Sequence, residues 1–218
     1  MRIKIFIVII SAVSFLCACN KEGNFDYPEG TVGISKITNF PILTVNGEEY
    51  MAVPVGGTYT EPGVTAKEGE SDLTVTTSGS VNTATVGVYT LTYSAVNKDG
   101  FSASAKRFVA VYSTDASAAS HDLSGSYLRA ATGVTNTWEK LAPGVYKVDN
   151  PGGAAGVNLV VFLFNPTGFI IDIPSQVSND GNTTSSTDEV YNDTVPASYS
   201  MKIVNPGYGP ALRTFVKQ

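Results

Sequence analysis

The sequence predicts an all-β protein built from two successive folded units, a β-sandwich followed by a second small β-sandwich or partly open barrel. Composition is the first observation. The 21 glycines, with many Thr, Val and Tyr residues, favour strands and turns over helices. Period is the second: in Tyr89-Thr-Leu-Thr-Tyr-Ser-Ala95 the apolar residues Tyr89, Leu91, Tyr93 and Ala95 alternate strictly with Thr90, Thr92 and Ser94, the pattern of a strand with one face buried and one wet. Third, turn signals such as Asn46-Gly47, Asn97-Lys-Asp-Gly100, Pro143-Gly144 and Asn165-Pro-Thr-Gly168 punctuate the chain, and no helical periodicity persists beyond a turn or two.

In chain order, the first element is a leader. Met1-Arg-Ile-Lys4 is a short basic segment, and residues 5–18 form an uncharged, mostly apolar run. That run is too short for a membrane-spanning helix, which needs about 20 apolar residues, and suits a secretory signal. Both cysteines of the 218-residue chain, Cys17 and Cys19, stand at its end. A disulfide between residues i and i+2 is geometrically poor, because an extended chain places their Cα atoms near the upper limit and aims both side chains the same way. Leu16-Cys17-Ala18-Cys19 instead resembles a lipobox, with an aliphatic residue three before and a small residue one before the acceptor, Cys19. An ordinary cleaved signal with incidental cysteines is the alternative. Acyl chains such as palmitate on Cys19 hold a chain in a membrane because each buried methylene contributes about 0.8 kcal/mol. Residues 1–18 are thus expected to be a lipoprotein signal and residues 19–38, polar and glycine-containing, a tether.

Charge narrows the partners. Loss of residues 1–18 removes Arg2 and Lys4 and no acid, so the net charge moves from −5 to about −7. Nucleic acid and anionic lipid both ask for basic surface, so neither is expected to bind.

The first folded unit is expected over residues 39–112. Residues 41–45 read as a strand, Asn46-Gly47 as a hairpin turn, and residues 49–55 as the partner strand. Residues 101–112 are another extended run, in which Arg107 shares the phase of Ala103, Ala105, Val109 and Val111 and suggests a bulge or an edge. Val53-Pro-Val-Gly-Gly-Thr-Tyr-Thr-Glu-Pro-Gly-Val-Thr-Ala66, then Gly79-Ser-Val-Asn-Thr-Ala-Thr-Val-Gly-Val-Tyr-Thr-Leu-Thr-Tyr93 and Asn97-Lys-Asp-Gly100 resemble the bacterial immunoglobulin-like module of surface proteins and some insecticidal crystal toxins. The resemblance implies an immunoglobulin-like sandwich with tyrosines in its inter-sheet core, and a spacer, adhesion or binding role rather than a chemistry. Residues 67–72 are mixed in charge where relatives are often more acidic, so calcium between domains is not implied.

Residues 113–121 are small and polar and read as a linker. The second unit, residues 122–218, opens on Asp122-Leu-Ser-Gly-Ser-Tyr-Leu-Arg129. Residues 138–141 and 145–149 flank the Pro143-Gly144 turn, and residues 158–164, nearly all apolar, read as a central strand covered on both faces. Residues 198–204 and 211–216 form a last pair around Asn205-Pro-Gly-Tyr-Gly-Pro210. Residues 176–197 show no strand pattern and read as a long polar loop. The whole arrangement resembles small surface lipoproteins of Bacteroidota that accompany outer-membrane nutrient importers of the starch-utilisation type. It implies an outer-membrane, surface-anchored accessory protein whose partners are a transporter and companion lipoproteins.

Catalysis finds little material. His121 is the sole histidine and sits in the linker, both cysteines lie at the membrane, and no Gly-x-Ser-x-Gly occurs, so a nucleophilic hydrolase is not expected. His- or Cys-rich metal spacing is missing. Asp180, Asp188, Glu189 and Asp193, with Asn179, Asn182 and Asn192, offer oxygen ligands without EF-hand spacing and read as a solvated acidic loop. A glycosidase pair drawn from these acids lacks the rigid cleft that a raised pKa needs. No cofactor, metal or catalytic residue is therefore expected. Sugar rings stack on aromatic faces while their hydroxyls take hydrogen bonds. Trp138, Tyr127, Arg129, Tyr191 and Tyr208 are the expected ligand-binding residues, for an oligosaccharide or a peptide, with Tyr146 and Asn136 as further neighbours. Alternation alone favours the core for Trp138 and Tyr146, and leaves Tyr191 and Tyr208 the better candidates for exposure. The alternative role is a structural subunit of an importer complex with no ligand of its own.

Overall fold

A computed structural model describes residues 28–32 and 35–218. The expected signal and the anchor Cys19 lie outside the described residues. The chain divides into two compact units, Met1–Asn39 and Phe40–Gln218. In the first, β1 (Thr31–Val32) and β2 (Ser35–Lys36) form a short antiparallel pair.

The second unit is nearly all β, as the composition predicts. Its N-terminal part is an immunoglobulin-like sandwich. One sheet holds β3 (Ile42–Val45), β5 (Val64–Glu68) and β6 (Ser71–Asp72) in that order. The other runs β4 (Tyr50–Pro54), β9 (Ser102–Tyr112), β8 (Gly87–Val96) and β7 (Thr76–Ser78). β4 joins β9 in parallel, and β8 and β9 make the long hairpin that Asn97–Gly100 was expected to turn. Leu91, Tyr93 and Ala95 of β8 and Val109 and Val111 of β9 are buried, so the alternating face of the sequence is the core face.

Two expectations in this part are corrected. Asn46-Gly47 does not close a hairpin: β3 pairs with β5 and β4 with β9, so the turn carries the chain from one sheet to the other. Arg107 holds this turn in place. Its guanidinium donates to Asn46 O at 2.8 Å and to Glu48 O, seating the two sides of the turn around one cation. Nor does Arg107 mark a bulge or an edge, because β9 lies between β4 and β8 in unbroken register.

The C-terminal part is an eight-stranded antiparallel sheet that curls into a nearly closed barrel, in the order β13 (Val160–Phe164), β12 (Val145–Asp149), β11 (Val134–Ala142), β10 (Gly125–Arg129), β17 (Arg213–Lys217), β16 (Ser198–Val204), β15 (Thr183–Asn192), β14 (Gln176–Val177). Tyr127, Trp138, Tyr146, Val161, Leu163, Tyr199 and Phe215 fill it. β13 is buried throughout, as its apolar run predicts, yet it ends the pairing order rather than standing at its centre. Its free edge meets the side chain of Gln176, which accepts from Phe162 N and donates to Phe162 O, both at 2.8 Å. Asn179 takes Val160 N in the same way. Two amide side chains thus substitute for a strand and close the seam.

Residues 176–197 are not a loop. They hold β14 and the ten-residue β15, which pairs with β16. The inward positions of β15 are Thr184 and Ser186, polar residues whose hydroxyls are bonded inside the fold, so hydrophobic alternation is blind to the strand. Residues 113–121, expected as a linker, include a short helix, α1 (Ala116–Ser120), with Ala118 fully buried. Asp115 N donates to Pro166 O at 2.8 Å and Ser117 Oγ to Thr167 O at 2.7 Å, which docks the segment on the 165–168 turn. Gly144, at φ +69°, must lack a Cβ there, since one would run into Asn165 O and Thr114. His121 is half-buried edge-on against Phe169, not exposed.

Candidate functional site

The candidate site is a cavity of about 460 Å3 where the 205–210 turn folds over the ends of β15 and β16. Thr183, Lys202, Asn205, Pro206, Tyr208 and Pro210 are among its walls. The turn's shape follows from Asn205, which is buried. Its Oδ1 accepts from Gly207 N at 2.8 Å, and its Nδ2 donates to Thr184 Oγ1 at 2.8 Å and Asp180 Oδ2 at 3.1 Å. Burial disfavours the charge on Asp180, but hydrogen bonds from Asn182, Ser178 and Asn205 outweigh it and hold the carboxyl down at about 2. Asp180 is therefore an ionised brace for the turn at neutral pH.

Tyr208 stands half-buried in this wall with the Arg213 guanidinium 5.0 Å over its ring. The ring presses against Gly152, where any Cβ would collide with it. Arg129 reaches the same turn, donating to Gly152 O and Gly153 O at 3.3 Å each. Burial raises the Tyr208 phenol above its ordinary value, with Arg213 opposing and Asp180 adding to the shift. Its hydroxyl is buried and meets no hydrogen-bond partner within the protein. Buried and unpaired, the hydroxyl is a cost to the fold, and what Tyr208 offers the cavity is its ring.

The structure brings Arg129 and Tyr208 to one end of the barrel. The other expected binding residues are elsewhere. Tyr127 and Trp138 are 0% and 1% exposed within the barrel core, so neither presents a ring face, and both are corrected from site to core residues. Tyr127 donates to Leu123 O at 2.6 Å and packs on Trp138 at 4.9 Å. Tyr146 and Asn136 are core residues too. Tyr191 is half-buried on β15 against the same core, apart from the cavity. Sequence reasoning missed Thr183, Lys202 and Asn205. Asn205-Pro-Gly-Tyr-Gly-Pro210 was visible as a turn, and the signal it carried was that a turn so rich in Pro and Gly can stand away from its strands and leave a cavity beneath.

Among the described residues no three His, Cys, Asp or Glu side chains converge as metal ligands. Asp188, at a bulge of β15, is paired with Lys202 at 2.8 Å. No helix of the described residues is long and apolar enough to cross a membrane.

The fold therefore defines an all-β protein that couples an immunoglobulin-like sandwich to a nearly closed barrel. Residues 43–111 match the family described as bacterial surface protein, Ig-like domain, about a third of the chain. Among solved structures, the chain is similar to a lipoprotein of Bacteroides thetaiotaomicron, at 24% identity and a TM-score of 0.43, over 82% of this chain and all of that one. It is also similar, at 15% identity and a TM-score of 0.30, to the M60 catalytic domain with the CBM51-1 and CBM51-2 domains of ZmpB from Clostridium perfringens, over 84% of this chain and 22% of that one. No curated protein matches.

Proposed function

We propose that this chain is a non-catalytic accessory protein of the bacterial surface, lipid-anchored in the outer membrane through Cys19, that binds an oligosaccharide beside Tyr208 for an outer-membrane importer and its companion lipoproteins. The cavity under the 205–210 turn carries the reading. Its volume falls within the range of small-ligand sites, and it joins the ring of Tyr208 to the hydrogen-bonding groups of Thr183 and Lys202. The surface setting is supported by the family that matches residues 43–111 and by the lipobox at Leu16-Cys17-Ala18-Cys19. Calorimetry of the full chain against a panel of oligosaccharides tests it. Binding by at least one glycan, weakened tenfold or more in Tyr208→Ala, is expected, a change of about 1.4 kcal/mol. Flat traces across the panel overturn the glycan reading.

A second reading, a structural subunit of an importer complex, for peptides or glycans, with no ligand of its own, draws support from the burial of Tyr127 and Trp138, which removes two candidate residues from the surface. A stable complex with the transporter in detergent, without glycan affinity, is its expected signature.

A further inference from the structure

The far end of the sandwich carries an apolar patch that neither the cavity nor the barrel uses. Phe40 and Ile42, two apart and on one side of the chain entering β3, are 60% and 69% exposed. Val96 and Phe101, which bracket the β8–β9 turn, are 57% and 44% exposed. The rings of Phe40 and Phe101 meet edge to face with centroids 4.9 Å apart, so the two segments form one surface. Its tip is held rigid. Asn97 N donates to Phe101 O at 2.9 Å, and Asn97 Oδ1 accepts from Phe101 N at 2.8 Å and Asp99 N at 3.1 Å.

Two features of the patch say what covers it. The compact unit begins at Phe40, so the polypeptide that carries Cys19 enters the unit through this patch, with residues 20–39 between. Even fully extended, 20 residues reach about 70 Å, which keeps this end within the anchor's range. The charges at this end are mostly exposed but matched in sign: Lys98 pairs with Glu68 at 3.7 Å and Lys67 with Asp72 at 3.9 Å. Exposed phenylalanines beside aliphatic side chains, without a net basic field, match the bilayer interface, where apolar burial rather than attraction to anionic headgroups supplies the affinity.

We propose that Phe40, Ile42, Val96 and Phe101 rest in the lipid surface that holds Cys19, fixing the sandwich end-on to the membrane. The inference rests on the anchored-lipoprotein reading, and the test separates the two. The body of the chain has no cysteine, so one introduced thiol reports one place. The membrane-purified full chain carrying Val96→Cys or, as a barrel control, Leu212→Cys is labelled with an environment-sensitive fluorophore and mixed with phosphatidylcholine vesicles containing doxyl-labelled lipid. Intact mass reports acylation of Cys19 independently, whatever the fluorescence shows. The expected result is blue-shifted emission quenched by the doxyl lipid at position 96 and not at 212, unchanged by raised salt, and largely lost when Phe40→Asp and Phe101→Asp are added to the Val96→Cys chain. Equal quenching at both positions, or none at 96, overturns the proposal. A patch that meets another protein instead gives the second of these outcomes.

Discussion

Arg107 carries a full charge with none of its surface in water, and its neighbourhood explains how the sandwich tolerates that. The guanidinium pairs with Glu61 Oε1 at 3.1 Å and donates to Asn46 O, Glu48 O and Gly63 O, so the cation is both neutralised and hydrogen-bonded. Burial resists ionisation of Glu61. Hydrogen bonds from Tyr59, Tyr93 and Gly63 N–H, with Arg107 beside it, outweigh that and bring the carboxyl below its ordinary value. A lowered folded pKa stabilises above the unfolded value, and the contribution is lost as pH falls through the folded one. Arg107→Ala is expected to cost about 3 kcal/mol in urea unfolding at pH 7, because it leaves Glu61 charged and partly buried. Arg107→Met with Glu61→Gln should cost less and should flatten the loss of stability below the ordinary carboxylate range. An unchanged acid dependence in the double variant would show that the pair does not set it. The sequence shows the anomaly, an arginine in an apolar phase, but not its resolution, since Glu61 lies 46 residues away and only the folded sheets bring the two together.

At the scale of elements, the strands that pattern reading recovered are those whose buried face is apolar, such as β8 and β16, and the longest it missed is β15, whose buried face is Thr and Ser. Hydrophobic period detects burial of apolar groups, not burial itself, so a strand stabilised by internal hydroxyl bonds looks like solvated loop. The same physics hid the barrel's closure. Nothing local distinguishes Gln176 from a surface glutamine, yet its amide takes both backbone groups of Phe162, on the edge of β13 between the Phe164–Asp172 bridge and the Asn179 contact at Val160. The candidate cavity shared this fate in part: Tyr208 was legible as an aromatic in a turn, though it is half-buried rather than exposed, whereas Asn205 and Thr183 act through contacts that depend on where β15 lies. Gln176→Leu keeps the volume and removes both bonds, leaving a buried donor and acceptor unpaired at a cost of about 2–3 kcal/mol in all. Hydrogen exchange is expected to quicken at Phe162 and its β13 neighbours while β10 and β17 stay protected. Uniform acceleration across the barrel would mean that the seam is not a separable element.

For the whole molecule, the decisive feature is that β9 is buried on both faces. Residues from Arg107 through Val111 are buried without alternation, because one face lines the sandwich and the other, with Tyr50 and Ala52 of β4, packs on Val145, Phe162 and Phe164 of the barrel. Tyr50 stacks on Phe108 at 5.1 Å and tilts against Phe162 at 5.7 Å, which locks the two β parts through aromatic contact. Domains joined by such an apolar, interdigitated face lose more than connection when it is broken, since each part then exposes a sheet that has no other cover. The full chain is therefore expected to unfold in calorimetry as one transition with matching calorimetric and van't Hoff enthalpies, although it contains two recognisable folds. Phe108→Ala removes the ring at the centre of the shared face without touching the sandwich core on the opposite side of β9. It should cost about 3–5 kcal/mol and split the melt into two transitions, with the sandwich and barrel parting before either has fully unfolded. Two transitions in the unsubstituted chain, or one undivided transition in Phe108→Ala, would contradict the coupling. If it holds, a ligand seated by Tyr208 stabilises the sandwich as well as the barrel, because one cooperative unit shares any free energy of binding to its folded state.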